Sequence, residues 1–211
     1  MLVLSPISKN DFQGSNTIQK TIKNKYYQRD NDVLEYLFGK IPLNNKAEEV
    51  YIKIVVIDFI YSTQLKLLIG SAGVYYLVDL ILDLNFDVRV QKGDPTLVND
   101  IANNNGGVNL FSFASKYCAL HNWYVYGKDD YSIYDSVVAR LFPEYTAISH
   151  KTNPQITQIS AALVERWRQA KAYGSFNDAI GTFLDEIGID AKTYQSRRRD
   201  FDRIIWEQRN N

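Results

Sequence analysis

The sequence is short of most features that announce a function. Of its 211 residues one is cysteine, Cys118, and two are histidine, His121 and His150. A single cysteine excludes an internal disulfide and suits a reducing compartment. One cysteine and two histidines give no metal-ligand spacing, so a zinc site is rejected. Charge of either sign is not in excess: 24 Lys and Arg balance 24 Asp and Glu. Phosphate binders usually carry a basic surplus, because phosphate neutralisation supplies most of their affinity, so any case for nucleic acid rests on local patches. No unbroken apolar run reaches about eighteen residues, and no membrane span is expected. Met1 to Pro6 turns polar too quickly for a signal peptide, which makes a cytoplasmic location the expectation. Neither a phosphate-binding glycine loop nor a nucleophile elbow is present.

What is there is apolar and aromatic: 45% hydrophobic residues, 13% aromatic, fifteen tyrosines. That suffices for a core without a disulfide or metal staple. The periodicity predicts an all-α chain, with residues 1–40 as an irregular N-terminal segment and 41–211 as a helical domain. Within 1–40, residues 30–39 are expected to form a short helix, with Val33, Leu34 and Leu37 inward. From Lys46, the stripe Val50, Ile54, Ile57 and Tyr61 predicts a helix despite its β-branched residues. Val74, Leu77, Val78 and Ile81 repeat the stripe; Leu80, Leu82 and Leu84 thicken it, predicting a helix buried on most sides.

Asp94-Pro95 is a cap followed by a proline at the first helical position, and that helix should stop at Asn103–Gly107. Asn153-Pro154 repeats the device, ahead of Ile159, Leu163 and Trp167. Ser175 is expected to cap a helix with Phe176, Ile180, Phe183 and Ile187 inward, ended by Gly188. Asp190 is expected to open the last helix, ending near Trp206. Polar stretches near 127–131 and at 143–153 are candidate lobe junctions.

The chemistry concentrates in one place. A helix ending at Asn103–Gly107, a turn through 108–112 and a second helix from about Ala114 would make a helix-hairpin-helix. Such a turn aims unpaired backbone N–H groups and the positive end of the helix dipole outward, where they can bind a phosphate without side-chain charge. Ser112, Phe113, Ala114 and Ser115 would form that DNA-facing hairpin. Lys116 would sit in the first turn of the second helix, where the dipole and a dry pocket disfavour its positive charge. Asp135 precedes Ser136-Val-Val and would start the next helix. On the residues alone, Asp135 reads equally as an N-cap and Lys116 as a solvated helix side chain. Cys118 and His121 read as packing residues, Arg197–Arg199 as a solvated face, and the three tryptophans as core anchors.

The run Leu110-Phe-Ser-Phe-Ala-Ser-Lys-Tyr-Cys-Ala-Leu-His121, followed by Tyr131-Ser-Ile-Tyr-Asp-Ser136, resembles a bacterial family described as having the oxoguanine DNA glycosylase fold. Phe59–Thr63 and Gly93–Ala102 look like its lead-in helices, and Asp202–Trp206 its closing segment, so the resemblance covers residues 45–206. It implies a helix-hairpin-helix glycosylase-like fold of two helical lobes with a cleft between them. It also implies Lys116 as nucleophile and Asp135 as the stabiliser of an oxocarbenium-like sugar. DNA is the implied partner, no cofactor is needed for bond cleavage, and a monovalent ion at the hairpin is compatible. DNA repair or defence against phages with modified bases is the implied setting. Two departures stand out. The superfamily hairpin carries glycines two and four residues before the lysine; here these are Ala114 and Ser112. The residue before the aspartate is the bulky Tyr134. A non-catalytic DNA- or protein-binding module on the same scaffold is the alternative.

Overall fold

A computed structural model describes residues 4–13, 22–103 and 107–208. Among these residues every regular element is a helix and no strand occurs. The chain divides into two compact units, one of residues 22–131 and one combining residues 1–21 with 132–211.

The first unit contains α2 (Ile22–Lys40), α3 (Ala47–Tyr61), α4 (Leu65–Asp83), α5 (Phe86–Gln91), α6 (Thr96–Asn103) and α7 (Phe111–Tyr126). The short helix expected at 30–39 is the second half of a 19-residue one, so residues 22–40 are helical rather than irregular. Its Leu34, Leu37 and Phe38 are buried, whereas Val33 is half exposed. Helix α7 runs through the middle and packs against α2, α3, α5 and α6. Burial on nearly every side explains why its sequence shows no single apolar stripe.

Helices α3 and α4 form a hairpin over a three-residue turn. Asp58 holds it, accepting hydrogen bonds from the Thr63 hydroxyl (2.6 Å) and the Leu65 N–H (3.0 Å). The expected stripes face inward: Val50, Ile54 and Ile57 on α3, and Val74, Leu77, Val78 and Ile81 on α4. The expectation that α4 is buried on most sides fails. Leu80, Leu82 and Leu84 are only half-buried, and Leu67, Leu68, Tyr75 and Tyr76 are exposed. On α3 the opposite face exposes Tyr51, Ile52, Val55 and Phe59.

Among the described residues, α4 has the length and apolar composition of a membrane span. Counting unbroken apolar runs missed it, because Lys66 and Asp79 interrupt the run without making it polar on average. The helix is not continuous, however. Gly70 adopts φ 65°, ψ 176°, a conformation outside the helical region that glycine tolerates and other residues resist.

Asp94 caps α6 as expected, with its carboxylate accepting the Thr96 N–H at 2.9 Å. Arg89 ties that cap to the helix body through Asp94 (2.7 Å) and Asp100 (2.7 Å). The connection from α6 to α7 passes through 104–106, outside the described residues. Beyond it, the Leu110 N–H donates to the Ala102 carbonyl at 3.0 Å. Helix α7 starts at Phe111, three residues before the expected Ala114, because the Asn109 side chain accepts the Phe111 N–H at 2.9 Å and turns the chain early.

The second unit contains α1 (Lys9–Gln13), α8 (Ser136–Thr152), α9 (Ala161–Gln169), α10 (Tyr173–Glu186) and α11 (Arg197–Gln208). Its core is aromatic, with Phe142, Phe176, Phe183 and Phe201 meeting mostly edge to face. Such packing suits the ring quadrupoles.

Several boundaries move. Most of the stretch 143–153, expected as a polar loop, lies within α8; Pro143 is buried inside the helix. Asn153-Pro154 opens a turn rather than a helix: the Asn153 side chain accepts the Gln155 N–H at 3.1 Å. Helix α9 begins later, where Ser160 accepts the Leu163 N–H at 3.2 Å. Helix α10 begins at Tyr173, two residues before the expected Ser175 cap. Asp190 caps a turn at Lys192 and Thr193, and α11 starts only at Arg197. The three arginines there are half-buried, not a solvated face. Arg198 donates to the Asn177 carbonyl (2.9 Å) and the Ser132 hydroxyl (3.1 Å).

Candidate functional site

Lys116 lies in the second turn of α7, not the first, because the helix begins early. It is 2% exposed, which overturns the reading of a solvated side chain. Its amine donates to the Ser112 hydroxyl at 3.0 Å and stands 5.7 Å from the centre of the Tyr61 ring. Lysine is almost never fully buried unless its charge is met, and an aromatic face meets it by cation–π attraction. Ser112 is half-buried, so the amine lies one side chain below the surface at the start of α7. The other residues expected in the hairpin, Phe113, Ala114 and Ser115, are buried in the helix, and the Ala114 N–H donates to the Leu110 carbonyl. Any phosphate contact there falls to the backbone of the first turn, where helix N–H groups lack intrahelical partners.

Asp135 belongs to the second unit and is 5% exposed. It is the N-cap of α8: one carboxylate oxygen accepts the N–H groups of Val137 and Val138, both at 2.9 Å. The other oxygen accepts the Trp206 indole N–H at 3.1 Å. Trp206 is therefore more than a core anchor. The segment leading to Asp135 is pinned to α10: the Ser132 N–H donates to Asn177 (2.8 Å), and the Tyr173 hydroxyl donates to the Ser132 carbonyl (2.7 Å). The carboxylate thus points from a fixed helix start.

A second buried polar cluster in the first unit escaped the sequence, apart from His121. Asn44 is its hub. Its oxygen accepts from the Tyr117 hydroxyl (2.7 Å) and the Lys53 amine (3.1 Å). Its amide donates to Asp87 (3.1 Å) and faces His121 Nδ1 at 3.3 Å. The amide can only donate, so Nδ1 is the acceptor and the His121 proton sits on Nε2. That atom lies 3.0 Å from Asp87 Oδ1, at an angle poor for a hydrogen bond. Lys53 also donates to the Leu43 carbonyl at 2.9 Å.

Burial pushes the Lys53 amine down to about 8 and the His121 imidazole down to about 4. For Asp87, burial works upward, but the His121 and Asn44 contacts outweigh it and hold the carboxyl below its ordinary value. The missed signal was position: Lys53 falls on the inward side of α3, between Val50 and Ile54. Cys118 is fully buried, and burial pushes its thiol well up, so it packs and stays unreactive.

A family model described as an N-terminal domain, HI_0787_N, matches residues 13–130. No curated protein and no solved structure matches the chain. The matched span ends one residue before the boundary of the first helical unit, and it includes Lys53, the Asn44 cluster and Lys116 but not Asp135. It covers more than half of the sequence, and the chain belongs to this N-terminal-domain family.

Proposed function

We propose that the protein is a helix-hairpin-helix DNA glycosylase-like enzyme that cleaves the N-glycosidic bond of a damaged or modified base. The observation that carries the reading is the Lys116 amine, buried on α7 with a hydroxyl and an aromatic face around it and one side chain away from solvent. Deprotonated, that amine can attack C1′ of an extruded nucleotide. The new N–C1′ bond forms as the C1′–base bond breaks, and the base leaves with the bonding pair and takes up a proton. Opening of the sugar ring then gives a Schiff base. Asp135, fixed by its cap hydrogen bonds and Trp206, is the carboxylate this reading assigns to stabilising positive charge on the sugar.

The residue types and spacing shared with the glycosylase superfamily support the same roles. The setting is repair or anti-phage defence. A second reading, a non-catalytic DNA- or protein-binding module, is favoured by the zero net charge. Alanine and serine in place of the hairpin glycines point the same way.

Borohydride trapping on DNA carrying abasic sites or modified bases separates the two. A covalent adduct formed by the wild type and lost in Lys116→Gln, with helical circular dichroism unchanged, supports the enzyme. No adduct and no base release on any such substrate leaves the binding module.

A further inference from the structure

We propose that the outer face of the α3–α4 hairpin is the contact surface of a two-fold homodimer. Both helices carry apolar side chains all round, a pattern that calls for cover on every side, yet only the inner faces are covered. Phe59 is 84% and Leu67 80% exposed. The two exposed faces are continuous, since Tyr51 of α3 stacks on Tyr75 of α4 with ring centres 5.6 Å apart.

At about 200 Å² for each large side chain, the exposed apolar portion amounts to roughly 900 Å². Monomers seldom show a patch above about 600 Å², and a standard interface takes about 800 Å² from each partner. A two-fold contact uses the same patch on both copies, so this one face suffices for both partners.

A lipid bilayer is the competing occupant, and the geometry disfavours it. The break at Gly70 leaves thirteen continuous helical residues, Ser71 to Asp83, spanning about 20 Å against a hydrocarbon core of about 30 Å. Asp79 and Asp83 are exposed on that stretch, where a surface-lying helix would carry Lys or Arg toward anionic lipid.

Sedimentation of the full chain at micromolar concentration tests the assignment. The wild type should run at twice the chain mass. Phe59→Asp with Leu67→Asp should run as monomer, with helical content retained and a melting temperature that no longer rises with protein concentration. A wild type that stays monomeric at 100 µM (roughly the upper range of transient contacts) overturns the proposal. So does a dimer that survives the double aspartate variant. Co-flotation with phosphatidylcholine vesicles, abolished by the same aspartates, would assign the face to lipid instead.

Discussion

Lys53 and Lys116 sit on α3 and α7, helices packed against each other in one unit, and both are buried; their surroundings differ in kind. Lys53 is met by two oxygen acceptors, the Leu43 carbonyl and Asn44, inside a network that also engages Tyr117, His121 and Asp87. Its amine also stands 5.6 Å from the centre of the Phe38 ring. Lys116 is met by a serine hydroxyl at the half-exposed start of its helix and by the face of Tyr61. Both amines stand over an aromatic face, which attracts the ammonium without accepting a fixed proton. The contrast teaches that burial alone does not mark a reactive lysine: Lys53 lies inside a polar network, Lys116 beside a half-buried helix start.

Substitutions can break that comparison. The largest effect is expected for Lys116→Gln: trapping should fall by about 10³-fold or more, while urea unfolding shows a stability loss of no more than about 1–2 kcal/mol. Asn44→Ala should do the reverse. It takes one of two oxygen acceptors from the Lys53 amine and strands the Tyr117 hydroxyl and His121 Nδ1 in a dry interior. It should cost about 3 kcal/mol of stability, yet leave trapping per folded molecule within about twofold. Equal damage to both readouts from both variants would dissolve the distinction.

A pH series sharpens it from the other side. The His121 imidazole is held at about 4 in the fold against its ordinary 6.5. Between those values the unfolded chain binds the extra proton and the folded chain does not, so stability rises with pH. The full contribution is present above 6.5 and is lost as pH falls toward 4, amounting to about 3 kcal/mol. Unfolding free energies measured from pH 4 to 7 should show this slope, and His121→Leu should flatten it. The smallest effect belongs to Asp135→Ala. Loss of the α8 cap and the Trp206 hydrogen bond should cost about 1–2 kcal/mol in thermal or urea unfolding. Asp135→Asn, which keeps an acceptor for the two N–H groups, should recover most of it while still slowing base release.

Much of the helical layout was legible because it is local. The inward stripes on α3 and α4 follow from residue spacing, Asp94 and Asp135 are caps by residue type and position, and Gly188 stops a helix with φ 80°. Starts were misread where the capping side chain lay outside the obvious pattern. Asn109 begins α7 early, and Asn153 spends its side chain on a turn, delaying α9 to Ser160. The stretch 143–153 reads as a polar loop, yet α8 continues through most of it because its first turns are anchored by Asp135 and its middle by burial.

By itself, then, the sequence determined that this chain is helical, where its main apolar stripes lie, and that Lys116 and Asp135 occupy a helix and a helix start. Those properties depend on neighbours within a few residues. Only the tertiary structure decided that Lys116 is buried over Tyr61, that Asn44 gathers four side chains from α3, α5 and α7, and that the far face of the α3–α4 hairpin is bare. Each of these depends on which distant segments pack together. An amine's partners and a helix's uncovered side are properties of that packing, and no local pattern encodes them.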